Sequence, residues 1–546
     1  MAESIKNIGQ VRPCHAKKTG WIAFDRRGRR SYTPAPIPPP PAFRCHGFVV
    51  SFNLNHGRKS GRSDLNTQGE SGSIRKILRG TAWLTATSTL SKILLLFFFV
   101  FLANRLGKEN LGRFAFLLDS AFIVFICTDL GLGYLLVQKV SRHRSATSDL
   151  FAGFLGLRLM MVAPFVLLYA LFLYFYGQGT DWRAAQALAI SYLVLQCFWD
   201  LFRSVIRGRE RMDQEALSTL IERLVYMGIG VLALSLGFRL NAMMLIAQGS
   251  ILVSFALIAY WIVRGGTPIR IHFIPSQWPP LLRETLPFGL GALCIIALYR
   301  EDTLMLNWLR GDAETGIYQA AFRLMEGTLL VPQAVALAAY PTFSRLFHQK
   351  EAIRPSAEKL QRWLLVLCLP MMVGGILLTP KVFEFFQSDF IPSVGVLQIL
   401  LLALPALYLN YLVGTLLRSV DRQIYNLYSA AAALAVNFAL NLALIPALGA
   451  KGAATATVLT QLVYFLLMYF FLRRTLGGLR LKNYFPLLLL CSAAVGLVVY
   501  PLRDAPLYVS VPLGAAVFAA AAFLTRLVSR EEIRQFVRFF AKVRKN

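Results

Sequence analysis

The sequence predicts an all-α protein that crosses a membrane about fourteen times, and three observations carry that prediction. Apolar residues make up 56% of the 546-residue chain and charged residues only 16%, with a mean hydropathy of +0.54; ordinary soluble domains carry about 25% charge. The apolar residues fall in continuous runs of about twenty, the length a helix needs to cross a hydrocarbon core of about 30 Å. Lys and Arg gather in every second connection between those runs. Barrel strands are excluded, because they read as about ten residues of alternating polarity.

In chain order the spans are 81–104, 114–137, 150–176, 184–206, 216–236, 242–263, 284–308, 317–343, 363–386, 394–417, 424–446, 452–472, 484–502 and 506–525. A formal charge of +29 would point to nucleic acid in a soluble protein. Here its placement decides its meaning. Lys139, Arg142 and Arg144, then Arg203, Arg207, Arg209 and Arg211, then Arg473, Arg474, Arg480 and Lys482 mark successive turns on one side. By the positive-inside rule that side is cytoplasmic, so both termini are expected in the cytoplasm and the partners are lipid headgroups, not nucleic acid. Seven cysteines stand singly, with no CxxC or Cys/His spacing, so neither a metal site nor a cofactor is expected.

Residues 1–73 are basic and carry the run PAPIPPPPAF, a composition for disordered or polyproline structure outside the membrane body. They read either as a ligand for a partner or as a functionless extension from a misassigned start, with translation beginning near Val49 or Leu65. At the other end, residues 527–546 place Ile533, Phe536, Val537 and Phe540 opposite Arg534, Arg538, Lys542 and Lys545, with Ser529 and Glu532 as a capping box. This spacing predicts an amphipathic helix on the cytoplasmic leaflet.

An internal repeat is legible as well. ANRLGKENLGRFA follows the first span and NWLRGDAETGIYQA the seventh, with Gly107 and Gly112 matching Gly311 and Gly316 at an offset of 204. A second match sets RSVIRGRER, ending at Arg211, over GTLLRSVDR, ending at Arg422, with Glu210 over Asp421. Similar offsets separated by six spans predict two parallel six-helix lobes, 74–264 and 265–473, around a central cavity, with two appended helices in 474–526.

Three stretches resemble the polysaccharide-exporter branch of the multidrug/oligosaccharidyl-lipid/polysaccharide exporter superfamily. They are LANRLGKENLGRFAF with DLGL at 129–132; residues 300–346, with an Asp before a Leu-rich helix, a Gly-x-Tyr restart and a Pro-terminated eighth helix; and LLRSVDRQ followed by 437–457, where Asn437, Asn441, Pro446, Gly449 and Gly452 carry the match. The resemblance spans about 80–525. It implies a transporter, not an enzyme, that flips undecaprenyl-pyrophosphate-linked oligosaccharide from the cytoplasmic to the periplasmic leaflet of a bacterial inner membrane by alternating access. The product would serve O-antigen, capsule or exopolysaccharide synthesis, with a polysaccharide polymerase and other assembly proteins as candidate partners.

Charges inside the spans are the candidate functional residues, because each costs at least ~2.5 kcal/mol to insert unless it meets water or a partner. The cationic cavity that the resemblance implies would use Lys92, Arg158, Arg300 and Arg323, since a guanidinium fork binds phosphate oxygens bidentately. Asp119, Asp302 and Glu326 are candidates for ion coupling. Arg323 and Glu326, three residues apart, could instead neutralise each other. Arg300, Glu301 and Asp302 project about 100° apart, so they cannot all face one lumen. Asn437 and Asn441 lie one helical turn apart and read first as interhelical hydrogen-bonding groups. A multidrug cation antiporter and a peptidoglycan lipid flippase of the same superfamily are the nearest alternatives. An integral-membrane enzyme of the same pathway fits less well, because the outside loops are short and lack paired carboxylates.

Overall fold

A computed structural model describes residues 66–176, 180–346, 350–479, 484–525 and 527; side chains are described from residue 91 onward, apart from a few positions beside the gaps and residues 287–288. Of the tail expected at 1–73, residues 1–65 lie outside these residues, while 66–73 form the first turns of α1 in place of the disorder expected for them. The amphipathic helix expected within 527–546 falls almost wholly outside the described residues. Among them every regular element is helical: α1 (Asn66–Asp129), α2 (Leu132–Arg142), α3 (Thr147–Tyr176), α4 (Thr180–Gly208), α5 (Met212–Ser235), α6 (Leu240–Arg264), α7 (Trp278–Arg310), α8 (Asp312–Thr328), α9 (Leu330–Arg345), α10 (Lys350–Phe383), α11 (Ser393–Leu401), α12 (Leu404–Ser419), α13 (Gln423–Leu448), α14 (Ala450–Leu476), α15 (Phe485–Val499) and α16 (Leu507–Leu524). Helices satisfy every backbone group internally, which a hydrocarbon surrounding demands. The outward faces are apolar to match: Leu167, Leu168, Leu171, Tyr174 and Phe175 of α3 are all exposed.

Nine of the described helices are long and apolar enough to span a bilayer alone, and eleven spans result if each of two bent pairs counts as one. The sequence count of fourteen differs for identifiable reasons. Ser91–Asp129 passes the length test as one segment, yet it bends at Gly107, whose φ of 75° and ψ of 168° are not helical. The expected span 317–343 is two helices, because Pro332 has no N–H for the helical ladder and Leu329 interrupts it. The expected span 394–417 is bent by 44° between α11 and α12. At DLGL the chain leaves α1 through left-handed Leu130 and Gly131, and Asp129 accepts hydrogen bonds from the Gly131 and Gly133 amides at the start of α2. The segment expected at 114–137 is therefore a helix, a corner and a second helix.

Apolar packing gathers around two main cores. One joins residues of α1 and α3–α6, continued by a cluster from α2–α4 and α6; the other joins α7–α14, with Ala103 and Leu111 of α1 reaching into it. α15 and α16 pack on α10.

The matched motifs share backbone conformation. Gly107 and Gly311 both take positive φ with extended ψ, 75° and 168° against 84° and −172°. Glu210 and Asp421 are both left-handed, at φ 59° and 55°. Each closes a helix C-terminus through the same six-to-one bond, Arg211 N–H to the Ile206 carbonyl and Arg422 N–H to that of Leu417. The Gly107 and Gly311 turns meet face to face. A β-carbon on Gly112 would collide with the carbonyl oxygen of Asp312, and one on Gly316 with that of Lys108. Arg113 and Asp312 pair beside this contact at 2.8 Å.

Candidate functional site

A cavity of about 550 Å³ lies between α1, α4, α5 and α6 on one side and α8 and α9 on the other. Its walls are mostly apolar, with Phe98, Phe99, Tyr192 and Tyr226 among them, and its polar lining carries three bases, Lys92, Arg223 and Arg323, against two carboxylates, Glu222 and Glu326. The mixture is what a ligand with an anionic group and an apolar part would need.

Of the four basic residues expected at the cavity, two line it. Lys92 is exposed into it and donates to Gln333 Oε1 at 2.8 Å; Gln333 in turn donates to the Tyr411 hydroxyl at 2.9 Å. Arg323 lies on the opposite wall, bonded to Glu326 at 2.8 Å and 3.9 Å from Asp119. The i, i+3 pair expected from the sequence is thus present, with Asp119 as an additional neighbour. Arg300 lies outside the lining, where it holds Asp119 at 2.8 Å. Arg158 is also outside it, wholly buried against Asp129 at 2.5 Å, with its Nε and Nη1 unpartnered. Asp129 thus takes a mid-helix arginine as its partner, while Asp200 lies 3.7 Å from Arg207.

The carboxylates separate in the same way. Asp119 accepts from Arg300 and, at 3.1 Å, from Gln319. Asp302 sits in the second core, 1% exposed. It accepts from the Tyr318 hydroxyl (2.8 Å), the Thr457 hydroxyl (2.6 Å) and the Asn441 amide (2.7 Å), and the Asn437 amide nitrogen reaches it at 2.9 Å when turned toward its acceptors. Every one of these donors is neutral. The Asn pair does bridge helices, α13 to α7 and α14. Of the three consecutive charges of α7, Arg300 points to α1 and Asp302 to α8, α13 and α14, while the Glu301 carboxylate also lies against Asn437 of α13.

Gln319 and Gln333 line the cavity without having been singled out from the sequence, whereas Arg223, with Glu222, is one of the charges inside the spans that make up the functional candidates. A polar residue in an apolar helix was the available signal in each case. For the two glutamines it was obscured by louder charges nearby.

A profile of the family described as polysaccharide biosynthesis protein matches residues 77–347, and one described as MatE matches 287–443. The chain belongs to the polysaccharide-flippase family of the multidrug/oligosaccharidyl-lipid/polysaccharide exporter superfamily. This flippase-family chain is 23% identical over 379 residues to "Probable low-salt glycan biosynthesis flippase Agl15" of Haloferax volcanii, covering 66% of this chain and 76% of that one. It is 29% identical over 167 residues to "Probable flippase AglR" of the same organism, covering 29% and 35%. Among solved structures it resembles the inward closed conformation of the lipid II flippase MurJ (TM-score 0.68, 15% identity, 81% of this chain and 98% of that chain). It also resembles an inward-facing MATE multidrug transporter (TM-score 0.60, 14% identity, 72% and 94%). At these identities the two structures speak for the fold. The family's members are transporters, so the non-enzymatic reading of the sequence stands.

Proposed function

We propose that the flippase-family chain moves a lipid-linked oligosaccharide between membrane leaflets by alternating access, receiving the carrier's pyrophosphate on Lys92, Arg323 and Arg223. The observation that carries this reading is the cavity itself: bases on opposing walls, Lys92 on α1 and Arg323 on α8, set among aromatic and aliphatic side chains. A phosphate oxygen gains most from charge-assisted donors in such a low-dielectric space. Arg300 acts one step back, holding Asp119 so that Arg323 is shared between two carboxylates and remains exchangeable for a phosphate.

The two helix sets α1–α6 and α7–α14 would be the moving lobes, with α15 and α16 appended to the second. The carrier is undecaprenyl pyrophosphate and the membrane a bacterial inner membrane in this reading, with both termini cytoplasmic and the Gly107 and Gly311 turns periplasmic. The match to Agl15, named a probable glycan biosynthesis flippase, supports glycan cargo. Asp302 is the favoured ion-coupling residue, because a buried carboxylate among amide and hydroxyl oxygens suits a small hard cation or a proton. The Asn441 amide oxygen beside it is buried without a hydrogen-bond partner. Asp119 and Glu326, both paired to arginines, are secondary candidates.

The decisive assay is flipping of a fluorescent undecaprenyl-pyrophosphate disaccharide by the full chain in liposomes. Arg323→Ala and Lys92→Ala should abolish it, whereas Arg323→Lys retains part as a less well-fitted point charge. Exchanging Arg323 and Glu326 keeps their pairing but moves the positive charge one turn, and should also abolish flipping. Wild-type flipping by both alanine variants would sink the phosphate assignment. Topology is tested by labelling a Cys introduced at Asp312 in intact cells; reaction only after permeabilisation would invert the orientation.

A further inference from the structure

The Asp302 pocket and the Asp119 cluster touch the same two helices at adjacent residues. On α7, Asp302 is followed by Thr303; on α8, Tyr318 is followed by Gln319. Tyr318 donates to Asp302 at 2.8 Å, while the Gln319 amide nitrogen donates both to Thr303 Oγ1 at 2.6 Å and to Asp119 Oδ2 at 3.1 Å. Successive helical residues project about 100° apart, so α8 grips the Asp302 pocket with one side chain and, with the next, a carboxylate on α1. Gln319 is 1% exposed, and its carbonyl oxygen is buried with no partner. An amide anchored in both directions through its nitrogen, with its oxygen unsatisfied, is poised to rotate or shift when α8 moves. The Asp119 carboxylate that it holds is the one beside Arg323 on the cavity wall.

We infer that Gln319 is a positioning residue that transmits the state of the Asp302 pocket to the pairing of Asp119 with Arg323. The inference rests on the proposed role of Asp302 in ion coupling. When an ion or proton neutralises Asp302, the Tyr318 hydroxyl loses its charged acceptor and α8 is free to shift. Gln319 then changes its hold on Asp119, and Asp119 changes its claim on Arg323, the cation offered to the phosphate. Sites that are coupled through one helix share free energy in both directions, so the anionic ligand would in turn bias ion binding.

The test uses the full chain in liposomes with the fluorescent undecaprenyl-pyrophosphate disaccharide, assayed without a gradient, with a sodium gradient and with a proton gradient. Stimulation of the wild type by one gradient is expected on the scale of about fivefold or more, ordinary for coupled sites. Gln319→Met, which keeps the side-chain volume and removes the amide, should lose that stimulation, read as the ratio of flipping with and without the gradient. Thr303→Val, which removes one anchor of the amide from outside the cavity lining, should weaken the stimulation while gradient-free flipping stays within about twofold of wild type. Retained stimulation in Gln319→Met overturns the inference; so does loss of gradient-free flipping in Thr303→Val at normal abundance, which would make the Gln319–Thr303 contact part of the fold. Asp302→Asn reports on the underlying reading alone. Loss of stimulation there with retention in Gln319→Met removes the link and leaves Asp302 its role; retention in both removes both.

Discussion

Asp119 and Asp302 are two buried carboxylates of one protein with opposite surroundings. The first is held by cations, Arg300 at 2.8 Å and Arg323 at 3.9 Å, which reach it from α7 and α8 across the space between two helix sets. The second is held by hydroxyl and amide groups from α8, α13 and α14, and all of them belong to the same core. The contrast teaches that burial alone does not assign a role to a membrane carboxylate. A carboxylate already neutralised by arginines is part of a joint, and its charge is needed to keep the arginines in place. A carboxylate surrounded by neutral donors has no resident counter-charge, which on the proposed reading leaves it open to an incoming cation or proton.

The largest expected effect separates the two residues most sharply. Asp119→Ala leaves Arg300 without its acceptor and takes away one of the two carboxylates beside Arg323, and breaking a buried pair costs about 3–5 kcal/mol. Flipping should disappear and the detergent-solubilised protein should melt at lower temperature, as followed by size exclusion after heating. Unchanged melting would mean that the joint carries no stability. Asp302→Asn comes next: the near-isosteric amide keeps the pocket filled, so melting should stay close to wild type while the response to ion gradients is lost. A large drop in melting temperature would place Asp302 in the same class as Asp119 and erase the contrast. Tyr318→Phe should be milder. Removing one donor at about 1 kcal/mol corresponds to a shift of about fivefold in the half-saturating ion concentration, and no shift would take the hydroxyl out of the pocket. The smallest effect belongs to a pair outside both sites, Lys139 and Glu284 at 3.0 Å, of which Glu284 is about half exposed. Such pairs are worth about 0–1 kcal/mol, so Lys139→Ala should leave flipping and melting near wild type.

Much of this was legible in the sequence, and the boundary is physical. Continuous apolar runs announce helices because a bilayer tolerates little else, and the glycines at offset 204 announce a shared backbone shape because only glycine takes that conformation freely. The pair Arg323 and Glu326 was readable from helical spacing. Arg158 with Asp129, and Arg300 with Asp119, were not. Their partners lie 29 and 181 residues apart, so which arginine faces the cavity depends on how helices rotate about their axes. Pattern gives the apolar face of a helix, but a span that is apolar all round leaves that rotation open. The breaks inside 114–137, 317–343 and 394–417 were hidden for a related reason, since apolar composition continues through a corner that bends only the backbone.

The meeting of the Gly107 and Gly311 turns has a consequence for how that end of the molecule opens. Gly112 lies against residue 312 and Gly316 against residue 108, so each turn offers its first-position carbonyl to the other's glycine, the reciprocity of an isologous contact between identical subunits. Two equal contacts related in this way lengthen together when the turns move directly apart. Neither can serve as the hinge for the other, so this end should release as a single event, like a clasp with two identical hooks, and a methyl group placed on either glycine should hold it ajar.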